Sequence, residues 1–149
     1  MKVKKVRLIG FRNFKDASVS LNDRTLMIGS NDIGKTNLLY ALRLLLDKSL
    51  SDRDIEPQIT DFHINNDGEQ SDSFTIKIYF SEVTEDAVLS ILKGHVSDNG
   101  TCVISMVADS ETLDYQIFIG CSEDELELVQ SRFYLKRLNL RYVRSRRDL

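Results

Sequence analysis

Residues Gly29-Ser30-Asn31-Asp32-Ile33-Gly34-Lys35-Thr36 match the pattern G-x-x-x-x-G-K-[ST] at every fixed position. The two outer glycines let the chain turn so that successive backbone N–H groups face inward and form a concave anion site. A helix beginning near Gly34 adds the positive end of its dipole to the same place. Such a turn functions only between a buried strand and an amphipathic helix. Thr25-Leu26-Met27-Ile28 supplies a short apolar run before it. After it, Leu38, Leu39, Leu42, Leu45 and Leu46 recur at helical spacing, with Tyr40, Arg43 and Asp47 mostly on the opposite side. The alternative, a glycine turn with an incidental lysine, does not call for this context.

The motif assigns roles. The backbone from Asn31 to Lys35, with Gly29, Asp32, Ile33 and Gly34 in the turn, cradles phosphates. Lys35 reaches the β- and γ-phosphates, and the Thr36 hydroxyl is the candidate Mg²⁺ ligand. Asp32 brings an acid to the mouth of an anion site, so its side chain is expected to face solvent or a partner subunit.

With 149 residues, 42% hydrophobic and 29% charged, the chain has the makeup of one globular domain with a sizeable core. It contains no run of about 18 apolar residues of the kind that spans a membrane, and the basic start lacks a signal-peptide core, so a cytoplasmic location and no membrane partner are expected. Cys102 and Cys121 show no metal-ligand spacing and read as buried thiols.

The net charge of −3 conceals a segregation: six Lys/Arg and no acid from Lys2 to Lys15, three Lys/Arg against 18 Asp/Glu from Ser49 to Leu128, and seven against one from Gln130 to Leu149. Basic segments of this kind meet phosphates or form solvated edges. For the N-terminal cluster both readings stand. Five arginines between Arg137 and Arg147 favour a functional surface, on DNA or on further protein.

Val3 to Phe11 reads as a strand, residues 12–16 as a turn, and Ala17 to Leu21 as the hairpin partner. About 25 residues of sheet thus precede the phosphate loop, whereas in small P-loop kinases the loop normally follows the first strand. Ser49 to Gln70 is polar and reads as an extended loop. Phe74 to Phe80 alternates as a half-buried strand. A helix is expected from Thr84-Glu85-Asp86 to about Gly94, and strands over 101–108 and 113–119 flank a hairpin turn. Ser122 followed by three acids predicts a helix to about Leu138, and Leu140 to Val143 a last strand.

A P-loop ATPase needs a second acid for Mg²⁺ and a group that orients water. The best candidate is Asp109, ending the apolar run Val103–Ala108, although Ser105 interrupts the run and no second acid follows. Asp61 is a weaker candidate for approaching the metal, Gln58 for sensing it, and His63 and His95 read as loop and helix-end residues. No L-S-G-G-like signature is present. The chain is therefore expected to be the N-terminal piece of a longer enzyme.

The basic first strand, Gly10-Phe11-Arg12-Asn13-Phe14, and the stretch from Gly29 through Asn37 to Leu42 together resemble the start of RecF/SMC-type ABC ATPase heads. Asn-Asp-Ile-Gly-Lys-Thr-Asn most resembles OLD-family (overcoming lysogenisation defect) nucleases, among them the Gabija-type anti-phage nuclease subunits. The resemblance is close over residues 1 to about 48 and looser over Asp61-Phe62-His63, the Phe74–Phe80 strand and Arg141–Arg144. It implies ATP and Mg²⁺ as cofactors, heads that dimerise around nucleotide, DNA as partner of the full-length protein, and a C-terminal Toprim nuclease domain. It also implies that the turn after the first strand puts Arg12, Asn13 and Phe14 beside the nucleotide. The alternative, Phe14 as hairpin core and Arg12 as a solvated turn, stands equally. Asn37 is a further candidate for contacting the nucleotide.

The expectation is an α/β P-loop NTPase, with residues 1–149 forming the N-terminal lobe of an ABC-type head with a mixed sheet and antiparallel hairpins. Nuclease activity cannot be assigned to this stretch, and it is expected to bind ATP without hydrolysing it efficiently. Rival readings are a RecF- or SMC-like head without nuclease, a small-molecule kinase, and a module in which nucleotide only stabilises an interface.

Overall fold

The computed structural model describes residues 1–21 and 32–138. Strands β1 (Lys2–Phe11), β2 (Phe14–Ser20), β3 (Ser73–Ser81), β4 (Cys102–Asp109), β5 (Tyr115–Gly120) and β6 (Glu127–Val129) form one sheet in the order β2-β1-β3-β4-β5-β6. Every pairing between these strands is antiparallel. Helix α1 (Asp32–Leu46) and the short helix α2 (Asp86–Ile91) complete the regular structure, with 3₁₀ turns at Ile59–Asp61 and Phe133–Lys136. The expected phosphate-loop strand at 25–28, the loop residues Gly29 to Asn31 and the strand at 140–143 lie outside the described residues.

Register follows from alternation. Phe74, Ile76, Ile78 and Phe80 are buried, and a slip of one residue would turn all four to the opposite face. Opposite Ile76 stand Leu8 and Met106, and opposite Ile78 stand Val6 and Ile104. Leu38, Ala41, Leu42 and Leu45, spaced i, i+3, i+4 and i+7, join these residues in a single core. Burying each of the larger of these side chains contributes about 1.5–3 kcal/mol.

Three sequence expectations are corrected. The stretch 49–70 is not an extended polar loop. Ile55, Pro57 and Phe62 are buried, Phe11 bridges Phe62, and Ile64 bridges Gln70, so the segment adds on at the end of β1. The helix expected from Thr84 to Gly94 is only α2. Its cap is Glu85, whose carboxylate takes the N-terminal ammonium at 2.7 Å in place of a capping bond, and Gly94 has a left-handed φ of +86°.

The helix expected from Ser122 to Leu138 is absent. At Gly120 the chain doubles back so tightly that a Cβ would overlap the Glu125 carbonyl. It then lays β6 along β5, with Phe118 opposite Leu128 and Ile117 opposite Val129. The acids after Ser122 do not serve a helix dipole. Glu123 instead accepts from the Tyr79 hydroxyl at 2.7 Å and lies 3.8 Å from Lys77 Nζ. Leu126, Val129, Phe133 and Tyr134 do share a helical spacing, but Leu128 and Leu135 fall on the opposite side, and pairing with the edge of β5 wins.

The segment after β6 closes the C-terminal end of α1. Tyr134, fully buried, donates to the Leu45 carbonyl at 2.7 Å. Arg132, 6% exposed, donates to Leu44 O at 3.1 Å and Leu50 O at 2.6 Å. The Leu44 and Leu45 carbonyls are ones a helix terminus leaves without partners, the Leu50 carbonyl belongs to the segment that follows, and a cation suits the negative end of the dipole.

Candidate nucleotide site at the start of helix α1

The last three residues of the phosphate motif, Gly34, Lys35 and Thr36, lie in the first turns of α1, which begins at Asp32. Lys35 is half-buried and Thr36 exposed, as a phosphate-reaching ammonium and a metal-ligating hydroxyl need to be. Asp32 and Ile33 form the first helical residues, while Gly29 and Asn31 fall outside the described residues.

The β1–β2 turn comes to rest against this helix through Asn37. The Arg12 guanidinium donates from Nη1 to Asn37 Oδ1 at 2.8 Å, and Asn37 Nδ2 donates to Asn13 Oδ1 at 2.7 Å. The structure therefore brings Arg12 and Asn13 to Asn37, 25 and 24 positions further along the chain.

Arg12 is held on further sides. Its Nε and Nη2 donate to Asp61 Oδ1 at 3.2 and 3.1 Å. Its guanidinium carbon lies 4.0 Å from the centroid of the Tyr40 ring, a cation–π distance. Phe11 stacks nearly parallel to Tyr40 with centroids 6.4 Å apart and meets Phe74 edge-on at 5.0 Å. Burial, then the Asp61 carboxylate, raises the Tyr40 phenol above its ordinary pKa, while Arg12 and Arg43 pull it back.

The Arg12 backbone is left-handed, with φ of +49°. For a residue with a Cβ this costs roughly 1–2 kcal/mol. The 58–63 segment holds it there: Arg12 N–H donates to Asp61 O at 2.8 Å, His63 Nδ1–H donates to Arg12 O at 2.8 Å, and His63 N–H donates to Gly10 O at 2.8 Å. Gly10, at φ +68°, sits so near the Ser73 carbonyl that a Cβ would meet it at 2.5 Å. Strained backbone of this sort persists where surrounding contacts over-determine it, most often at functional sites.

The acids considered as metal ligands are otherwise engaged. Asp61 is 2% exposed, and its second oxygen accepts from the Gln58 N–H at 3.0 Å. Asp109 accepts from the N–H groups of Glu111 and Thr112 at 2.8 and 3.1 Å, fixing the β4–β5 turn. Among the described residues no group of three or more His, Cys, Asp or Glu could hold a metal ion. A Mg²⁺ bound chiefly through triphosphate oxygens and water needs little more from the protein than one hydroxyl, and Thr36 fits that donor set.

Tyr40, Asp61 and His63 are the residues that sequence reasoning missed or misassigned. Helical spacing puts Tyr40 on the outward side of α1, and polar composition puts the other two in a loop. Their signal is weak because tertiary contacts with the end of β1, the Phe11–Phe62 bridge among them, bring residues 58–63 to Arg12.

The basic N-terminal cluster proves largely paired. Lys2 lies 3.2 Å from Glu82, Arg7 3.2 Å from Asp16, and Lys5 sits 4.3 Å over the Tyr79 ring. Of the arginine-rich C-terminal run only Arg137 is among the described residues. Both cysteines are free, and burial, then Cys121, pushes the Cys102 thiol up to about 12. Among the described residues no helix is long and apolar enough to cross a membrane.

A family model described as AAA ATPase domain matches residues 1–141. Endonuclease GajA of Bacillus cereus (strain VD045) is 31% identical over 121 residues, which are 79% of this chain and 21% of GajA. The DNA replication and repair protein RecF of Chlamydia caviae is 52% identical over 46 residues, 30% of this chain and 12% of RecF. The chain thus spans only a small part of these relatives. An SMC ATPase structure, from work on ATP-driven dimerisation and DNA-stimulated activation, covers 91% of this chain and 76% of its own at TM-score 0.63 and 19% identity. An SMC head bound to the C-terminal winged-helix domain of ScpA covers 91% and 39% at TM-score 0.61 and 16% identity. At these identities the two structures speak for the fold, that of a P-loop ABC-type ATPase lobe.

Proposed function

The chain belongs to the AAA ATPase domain family, and from that premise we propose that residues 1–149 are the N-terminal part of an ABC-type ATPase head that binds Mg-ATP in a DNA-processing protein. The observation that carries this is the start of α1: Lys35 and Thr36 in the first turns of a helix that opens on the phosphate motif, with Arg12 and Asn13 drawn against it through Asn37. Lys35 neutralises charge on the β- and γ-phosphates, Thr36 would hold Mg²⁺, and the backbone from Asn31 to Lys35 with Gly29 surrounds the phosphate tail. Bound Mg²⁺ would screen charge between the terminal phosphates.

The finer reading is the ATPase portion of an OLD-family, Gabija-type anti-phage nuclease that works in the cytoplasm. It is supported by the 31% identity to GajA across most of this chain. In it two heads close around nucleotide and couple that state to DNA. The experiment is calorimetric titration of Mg-ATP into the wild-type protein and Lys35→Ala. Binding is expected in the first and lost in the second; an unchanged isotherm in the variant refutes the assignment.

A further inference from the structure

The geometry points to Asp61 and Tyr40 as positioning residues that fix the Arg12 guanidinium, in plane and in direction, at the phosphate end of α1. This rests on the nucleotide reading above and adds two residues that the phosphate motif does not contain. Three contacts define the orientation. Asp61 Oδ1 accepts from both Nε and Nη2, Asn37 Oδ1 accepts from Nη1, and the flat face of the guanidinium lies on Tyr40. Two in-plane anchors on different nitrogens and one aromatic floor leave the group no rotation.

Asp61 is itself immobile. It is 2% exposed, its other oxygen is held by Gln58 N–H, and its carbonyl takes the Arg12 N–H. A carboxylate so placed is not free to ligate a metal. What it can do is remove, before any ligand arrives, the rotamer freedom an arginine otherwise gives up on meeting an anion. Of the five guanidinium N–H groups, three are engaged among the described residues. The other two belong to Nη1 and Nη2, and the Arg12 side chain retains 28% exposure. It is thus presented as a fixed fork suited to a phosphate oxygen pair.

The role is separable from simple support of the fold, because a positioning residue acts only through what it positions. Mg-ATP affinity is to be measured by calorimetry for the wild-type protein, Arg12→Ala, Asp61→Asn, Tyr40→Leu, and each of the last two combined with Arg12→Ala. Asp61→Asn keeps an acceptor for Gln58 N–H, and Tyr40 is only half-buried, so Tyr40→Leu tests the same idea if Asp61→Asn folds poorly.

Each of Asp61→Asn and Tyr40→Leu is expected to weaken Mg-ATP about fivefold to tenfold, and neither to weaken it further once Arg12 is alanine. The same fold-loss with and without Arg12, or unchanged or tighter binding in both single variants, overturns the positioning role. Lys35→Ala separates the two claims: loss of binding there, with Asp61 and Tyr40 acting independently of Arg12, refutes this inference and leaves the nucleotide site standing. A wild-type protein that does not bind Mg-ATP refutes both.

Discussion

The two ends of helix α1 are finished in opposite ways. At the C-terminal end the chain closes on itself: Tyr134 and Arg132, both buried, deliver O–H and N–H donors to the carbonyls of Leu44, Leu45 and Leu50. At the N-terminal end, among the described residues, Lys35 is half-buried, Thr36 is exposed, and Arg12 and Asn13 meet Asn37. A helix needs partners for both sets of terminal groups. The end completed by its own side chains serves stability, and the end that gathers cationic and amide donors suits an anion.

This contrast predicts that damage at the two ends is felt in different measurements. The largest effect is expected for Lys35→Ala, which removes Mg-ATP binding while leaving the denaturant midpoint nearly unchanged, since Lys35 is only half-buried. Arg132→Ala is expected to destabilise the fold by about 3 kcal/mol in chemical denaturation, because it leaves buried carbonyls without donors, with nucleotide affinity altered less than twofold. Tyr134→Phe, which deletes one hydroxyl over Leu45 O, is expected to cost about 1–2 kcal/mol by the same measurement. If Arg132→Ala lowers affinity as much as Lys35→Ala while the protein stays folded, the division between the ends is wrong.

The smallest effect concerns pH. Burial, with Cys121 second, raises the Cys102 thiol from 9 to about 12 in the folded chain. Between those values the unfolded chain holds fewer protons, so this contribution is complete below pH 9 and is lost as pH rises towards 12. Tyr79, raised from 10 to about 12 by burial and then by its bond to Glu123, acts in the same direction. Stability followed by denaturation is expected to fall over this alkaline range, and less steeply in Cys102→Ala. A decline of equal slope in that variant removes Cys102 as a cause.

What was legible in the sequence follows the same division. Alternation in Phe74–Phe80 and the leucine spacing of α1 are local signals, and the strands and helix appear where they were expected. The phosphate motif singles out Lys35 and Thr36, and the resemblance to ABC heads directs attention to Arg12 and Asn13. The acids after Ser122 mislead because a helix start and an edge strand begin with similar polar residues. Only the open edge of β5 and the fold-back at Gly120 decide between them. Asp61 and Tyr40 are illegible as a pair because their relation passes through Arg12, 49 and 28 positions away respectively.

The central claim is that the start of α1 reads a polyphosphate tail, and comparing ATP with AMP in the presence of Mg²⁺ tests it most directly. Calorimetric titration is expected to show ATP binding at least about a hundredfold tighter than AMP, because on the proposed reading the Lys35 ammonium and a Mg²⁺ that Thr36 would hold meet phosphates that AMP lacks. AMP binding as tightly as ATP would contradict it.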